Sequence, residues 1–533
     1  MKKNTFIEGA FIATLGIVIV KVIGLLYVIP FNAIIGERGG ALYGYAYNIY
    51  QLFLAISSAG FPFAISKLTS EYLAQNNEEY VKRTYNVAIK LILIISSIAF
   101  LVLFIFAPQI AKLIIGSTTG GNTIQDIAAV IRWVSLAILI VPFLSVTKGF
   151  LQGNKYIGPT SVSQVIEQVV RVAIILIGSF IIVKVLKLDT NIAVNVAVSG
   201  AFFGGLFGYL YLKIKIKKSG LLPKDKKLTK DKKATRTIIK KIIEYSVPFI
   251  IISVIYTLYN TVDMILISRT MGDILHMSGD QVESVISVFT TWGVKLNSIL
   301  LAVTTGLTTS LIPNIVDSFV KGDKKDVDSK FNKALQCMFL IIVPATIFLS
   351  LLVKPVWTLF YGESHYGPLV YQAFVYAGLF GGLHSVVVST LQGLNKYKLV
   401  ITCVLIGLLL NTILDVPFML LVNKMGIETS YGAIIAAIFG YSISMIISLT
   451  VLNKKYHFSF KETIEKTPSY LFSWAVFIGV ILILKLFIPT DLDGRLIQIP
   501  ILGIYGVFSF GIYFVINYLF GNLKILKDIR KRG

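Results

Sequence analysis

The stretch LILIISSIAFLVLFI, residues 91–105, contains no charged side chain and no alternation of polar with apolar positions. A strand of a membrane barrel would alternate over roughly 10 residues, lumen against lipid. An α-helix needs about 20 apolar residues to cross about 30 Å of hydrocarbon, and this run with its flanks (residues 83–106) is long enough. Working outward from it, fourteen such segments lie between residues 5 and 520, among them span 1 at 5–35, span 2 at 41–74, span 5 at 160–183, span 8 at 282–320, and spans 13 and 14 at 467–488 and 497–520. The expected fold is an all-α integral membrane protein of about 14 transmembrane helices.

Composition agrees with that reading. Only 14% of the 533 residues are charged and 55% are apolar, whereas about a quarter of a soluble domain is charged. The two cysteines, Cys337 and Cys403, sit in apolar runs, which excludes a disulfide framework and a cysteine metal site. The histidines (His276, His365, His384 and His457) are scattered, and no phosphate-loop motif occurs. No metal, no cofactor and no catalytic group is expected. Lys2 and Lys3 precede the first apolar run as in a signal peptide, but that run continues far beyond the 7–15 residues of such a segment and reads as a retained span.

Basic residues set the orientation, because cytoplasmic loops are enriched in them. With Lys2 and Lys3 inside, the inner loops hold Lys82, Arg83, Lys155, the run 213–241, Lys321–Lys325, Lys396–Lys398, Lys454–Lys466 and the tail Lys524–Arg532. The outer loops hold only Arg38, Lys112, Lys184, Lys187, Arg269, Lys354, Lys424 and Arg495. Both termini are therefore expected in the cytoplasm. Residues 213–241 carry 13 Lys and Arg against Asp225 and Asp231, which is +11 of the net +23. Lacking interleaved aromatics, this run reads as a topology determinant drawn to anionic lipid and not as a nucleic-acid site.

The chain also resembles itself. Residues 145–153 read SVTKGFLQG and residues 385–393 read SVVVSTLQG, and each continues into Asn-Lys-Tyr, at 154–156 and 395–397. Gly116 pairs with Gly362, and Gly60 with Gly306. Spans 1–6 thus repeat as spans 7–12. Six is even, so the copies enter the membrane in the same direction, as parallel repeats do in alternating-access transporters. The expected division is an N-lobe at 1–218, a basic connector at 219–237, a C-lobe at 238–455, and spans 13–14 with a basic tail at 456–533.

Charges deep in a span cost about 2.5–3.5 kcal/mol each on insertion scales. The deepest are Lys21, Glu167, Arg171 and Lys295. Lys67, Lys90 and Lys148 lie nearer the inner face, where they can snorkel. Glu167 and Arg171 are four residues apart and share a helix face. They read either as a structural pair or, through Arg171, as part of a cationic lining. Lys21 and Lys295 have no acid near them in sequence, and their expected role is to hold an anionic group, the alternative being an acidic partner such as Asp263. Pro30, Gly60, Pro62, Gly306 and Pro313 are candidate hinges or kinks. Gly200, Gly204 and Gly208 form a small-residue stripe suited to close helix packing.

Gly24-Leu25-Leu26-Tyr27, then Pro30, Gly36, Gly44, the run GFPFAISK at 60–67 and the run SQVIEQVVRV at 163–172 resemble the Gram-positive lipid II flippase and stage V sporulation protein B family. That family lies within the multidrug, oligosaccharidyl-lipid and polysaccharide exporters. The resemblance implies movement of an undecaprenyl-diphosphate-linked peptidoglycan precursor from the inner to the outer leaflet, driven by membrane potential or an ion gradient. It places Lys21 at a basic, cavity-facing position, with Lys replacing Arg, and Lys295 about a turn from a second one. Lys21, Lys295, Arg171 and Lys67 are then the candidate diphosphate-binding cations. The implied partners are a lipid-linked anionic glycan, anionic lipids on the cytoplasmic side and cell-wall synthesis proteins. Spans 13–14 would offer the polyprenyl tail a groove. The competing readings are a flippase for another polyprenyl-linked glycan, a multidrug/cation antiporter, a non-transporting scaffold and a membrane transferase.

Overall fold

The computed structural model describes residues 6–221 and 231–525; Lys2, Lys3, the middle of the basic connector and most of the tail lie outside them. The chain forms two compact units, Met1–Thr291 and Trp292–Gly533. The first holds α1 (Phe6–Leu26), α2 (Val28–Ser58), α3 (Phe61–Ala74), α4 (Glu78–Ile105), α5 (Ala107–Ile115), α6 (Ile124–Ser135), α7 (Val141–Gly153), α8 (Ile157–Ala173), α9 (Thr190–Ser219), α10 (Lys232–Arg269) and α11 (Gly279–Ser287). The second holds α12 (Gly293–Val320), α13 (Lys324–Cys337), α14 (Val343–Leu351), α15 (Val353–Tyr361), α16 (Tyr366–Gly393), α17 (Tyr397–Lys424), α18 (Ser430–Tyr456), α19 (Lys461–Phe487) and α20 (Gln498–Leu519).

Among the described residues every regular element is helical. Thirteen helical stretches among the described residues are long and apolar enough to span a membrane, and Leu15–Leu26 of α1 adds a shorter apolar one. Fourteen spans are compatible with that set. The longest stretch, Val28–Ala74, is interrupted at Gly36, which has φ 64° and ψ −164°. Only glycine adopts that backbone without penalty, so the chain turns there, close to the expected end of span 1 at residue 35. The protein is a multi-pass, all-helical membrane protein.

Sequence breakers explain most of the other interruptions. Pro30 has no N–H for the Leu26 carbonyl, and α1 gives way to α2 at Tyr27. The expected kink at Gly60 and Pro62 is the break between α2 and α3, with Pro62 in the first turn of α3. Gly60 there lies against the Ser246 carbonyl of α10, where any Cβ would collide. By contrast α12 runs without interruption through Gly306 and Pro313; the side chain of Pro313 lies outside the described residues.

The repeat is visible element by element. α7 and α16 end at Gly153 and Gly393, and α8 and α17 start at Ile157 and Tyr397, each pair 240 residues apart. Between them the chain makes one turn twice. Tyr156 N–H bonds the Leu151 carbonyl at 2.9 Å and Lys396 N–H bonds Leu391 at 3.0 Å, with Lys155 (φ 64°) and Asn395 (φ 58°) in the left-handed region. The turn therefore equates Lys155 with Asn395, which corrects the sequence pairing: the shared Asn-Lys-Tyr is displaced by one residue from structural equivalence. The αL position is fixed by the helix-ending hydrogen bonds, not by residue type.

Packing in the first unit follows the small residues. Gly204 and Gly200 of α9 bring that helix onto the backbone of α8 at the Glu167 carbonyl and the Arg171 carbonyl, where an added Cβ would lie 2.6 and 2.9 Å away. Gly208 continues the contact at Ser163, so the expected glycine stripe is a helix seam. A core of Phe61, Ile65, Tyr85, Ile92, Phe150 and Ile242 joins α3, α4, α7 and α10. The compact unit extends past the connector because polar ties hold α10 and α11 to it. At one end Arg83 donates to the Asp231 carbonyl at 2.9 Å, and Lys241 meets Glu71 at 3.7 Å. At the other, Asp273 accepts from Ser117 N–H and Oγ at 2.8 and 2.7 Å, and Asn122 N–H bonds the buried Glu283 carboxylate.

In the second unit, α19 and α20 pair with each other and dock on the π-helical turn Met338–Ile342. Trp474 Nε1 donates to the Phe339 carbonyl at 3.2 Å and Tyr513 OH to the Leu340 carbonyl at 3.0 Å. Such turns disturb the regular hydrogen-bond ladder, and side chains of the added helices satisfy these two acceptors.

Candidate functional site

The most concentrated buried charge among the described residues is built on α7 and α8. Glu167 and Arg171 are one turn apart, and Arg171 Nη2 donates to Glu167 Oε1 at 2.8 Å. Lys148 of α7 reaches the other oxygen, Nζ to Oε2 2.9 Å. The side chains of Lys148, Glu167 and Arg171 are 15%, 15% and 18% exposed. Arg171 Nη1 also donates to Tyr47 OH at 3.4 Å, and Tyr47 stacks on Tyr43 with ring centroids 5.3 Å apart. Arg171 Nε is buried and has no hydrogen-bond partner among the described residues. Two cations thus share one carboxylate, and the cluster carries a net single positive charge.

That arrangement alters the reading of two residues. Glu167 and Arg171 are paired, as their spacing implied, but the pair is not closed. Lys148, expected to snorkel toward the inner face, instead turns to Glu167, which offers a buried ammonium more stabilisation than a long reach to water. Its signal was present in the repeat, because Lys148 stands where the other copy has Val388.

The remaining candidates lie elsewhere. Lys21 is exposed on α1, one turn before Gly24, which packs on Gln168 of α8. This puts Lys21 on the side of α1 that approaches α8. Lys67 is exposed on α3 with Nζ 3.9 Å from the centroid of the Tyr245 ring, a cation–π contact; Tyr245 OH donates to Glu71 at 3.3 Å. Lys295 is half-buried in the first turn of α12, in the second unit. Among the described residues no group of three or more His, Cys, Asp or Glu is placed to hold a metal ion.

A family model described as polysaccharide biosynthesis protein matches residues 6–317. Lipid II flippase MurJ of Bacillus subtilis (strain 168) is 30% identical over 545 aligned positions, covering 99% of this chain and 98% of that protein. The chain belongs to the polysaccharide biosynthesis protein family. A second family relative, stage V sporulation protein B of the same organism, is 28% identical over 175 residues, 33% of this chain and 32% of that protein. Among solved structures, lipid II flippase MurJ in an inward closed conformation has a TM-score of 0.66 at 17% identity, covering 96% of this chain and 98% of that one. An inward-facing multidrug resistance MATE family transporter has a TM-score of 0.60 at 16% identity, covering 81% and 93%. At those identities the structures establish a shared fold, and the resemblance read from residues 24–67 and 163–172 is to the relatives found.

Proposed function

We propose that this protein is a lipid II flippase that moves the undecaprenyl-diphosphate-linked peptidoglycan precursor from the inner to the outer leaflet by alternating access. The observation that carries this reading is the 30% identity to a lipid II flippase across 99% of the chain. The site chemistry supports it. A diphosphate is the part of such a cargo that hydrocarbon rejects most strongly, and a net-positive cluster at membrane depth offsets that cost. A multidrug/cation antiporter, the reading the MATE-like fold allows, has no use for excess positive charge there.

Lys21, Arg171 and Lys67 of the first unit and Lys295 of the second are the cations assigned to the diphosphate. Lys21 meets phosphate as a point charge, not a bidentate fork. The repeat-defined lobes, 1–218 and 238–455, are the moving parts, with hinges at Pro30, Gly60 and Pro62 and at Gly306 and Pro313. Both termini are cytoplasmic, the drive is an ion gradient or the membrane potential, and the protein performs no catalysis. Lys21→Ala is expected to abolish complementation of a flippase-deficient cell while membrane insertion, read by immunoblot of washed membranes, is unchanged.

The family's description keeps a second cargo in view, another polyprenyl-linked glycan. Purified protein in vesicles, supplied with labelled lipid II or with an undecaprenyl-linked capsule unit, separates the two. Faster translocation of lipid II supports the proposal; transport of the capsule unit alone overturns it.

A further inference from the structure

We propose that Glu167 is a resident stand-in for the cargo's phosphate: it holds Lys148 and Arg171 while the carrier is empty and gives them up when a diphosphate arrives. The inference rests on the flippase reading and assigns two residues to its binding step, Lys148 as a phosphate-binding cation and Glu167 as the anion that phosphate displaces.

The geometry leads there in three steps. Each oxygen of Glu167 is taken by a different cation, at 2.8 and 2.9 Å, which is the way one phosphate group with several acceptor oxygens would bridge them. The guanidinium is only part-used. Nη2 holds Glu167 and Nη1 makes a long 3.4 Å bond to Tyr47, while Nε, buried, meets no acceptor among the described residues. A guanidinium offers its N–H groups as a planar fork that suits phosphate bidentately, and here one prong is unfilled. Finally, two cations against one carboxylate leave an excess positive charge in a setting where unbalanced charge is costly. A purely structural pair of Glu167 and Arg171 would be neutral, and Lys148 would have no place in it.

A carrier must return empty after delivering an anion. Two bare cations would then stand in hydrocarbon-like surroundings, a state of high cost. Glu167 removes most of that cost at the moment the cargo leaves. It also competes with the cargo at the moment of binding, so it weakens affinity and speeds the return. Glu167 is placed to do this because it and Arg171 are on one helix, fixed by the glycine seam of α9, while Lys148 comes from α7. The carboxylate can swing out of the fork without moving a helix.

The test uses full-length protein in nanodiscs for binding of undecaprenyl diphosphate and in vesicles for lipid II translocation. Glu167→Gln is expected to bind the diphosphate lipid about tenfold more tightly, the effect of one charge-assisted contact, yet to translocate more slowly at saturating substrate. Lys148→Gln is expected to bind about tenfold more weakly, with Lys148→Arg restoring binding. Unchanged or weaker binding by Glu167→Gln at normal melting temperature overturns the stand-in role. If that variant does not fold, Glu167→Asp decides: its carboxylate, set back by one methylene, gives intermediate tightening if the inference holds and none if it does not. A wild-type protein that binds no diphosphate lipid overturns the inference as well. Diphosphate binding that follows this charge pattern without any lipid II transport overturns the flippase reading and leaves the triad standing.

Discussion

The two copies of the repeat share a backbone and differ in charge. In the first, α7 and α8 carry Lys148, Glu167 and Arg171; 240 residues later the same positions on α16 and α17 are Val388, Gly407 and Asn411. Both copies keep the helix-ending turn, with Lys155 and Asn395 in the left-handed region. Both keep a glycine pressed on the preceding helix, since a Cβ on Gly204 would lie 2.6 Å from the Glu167 carbonyl and one on Gly440 would lie 2.6 Å from the Gly407 carbonyl. What the copies share is therefore what the fold needs. The Lys148–Glu167–Arg171 cluster has no counterpart at the matching positions of the second copy, so the helix pair closes without it, in keeping with the role proposed for it.

The largest expected effect comes from transplanting a cation into the second copy. Val388 is 1% exposed, so Val388→Lys puts an ammonium where no Glu167 equivalent receives it, and a loss of about 4 kcal/mol is expected, the scale of a buried lysine's desolvation. A steep fall in detergent melting temperature or in membrane yield checks it. Unchanged stability would mean that the second copy tolerates the charge and that the difference carries no meaning.

The glycine seams test what the two copies share. Gly204→Ala and Gly440→Ala should each cost about 1–3 kcal/mol by overpacking, and by similar amounts, since both press on a carbonyl. Thermal unfolding of the two variants side by side measures this. A cost confined to Gly204 would tie the seam to the charge cluster instead of to the fold.

The smallest effect is at the turns. Lys155→Gly relieves a left-handed non-glycine residue and should stabilise by about 1 kcal/mol, whereas Asn395→Gly should gain only a few tenths, because asparagine already tolerates that region. A matched pair of melting curves measures both gains; equal gains would mean that asparagine is no better suited than lysine to that turn.

Much of this was legible in the sequence because it is written in local terms. An apolar run as long as residues 83–106 forms a membrane helix, Gly60-Phe61-Pro62 ends one helix and opens the next, and the spacing of Gly200, Gly204 and Gly208 places them on one face. The pairing of Glu167 with Arg171 is also local, four residues on one helix. Lys148 was not legible in the same way, since its distance from Glu167 depends on how α7 and α8 meet after a turn whose register the shared Asn-Lys-Tyr misreports by one residue. Still less visible were the ties from Asn122 to Glu283 and from Ser117 to Asp273, which span more than 150 residues. They place α10 and α11 in the first compact unit, although the repeat assigns them to the second copy.

The proposed role of the first-copy charge cluster is to serve an anionic headgroup. Its most direct measurement is the translocation rate of labelled lipid II in vesicles carrying wild-type protein or Arg171→Ala at equal incorporation and equal melting temperature. Wild-type protein should translocate lipid II, and Arg171→Ala should lower the rate by about a hundredfold, the loss of roughly 2.7 kcal/mol of charge-assisted contact. Equal rates in the two preparations would contradict that role.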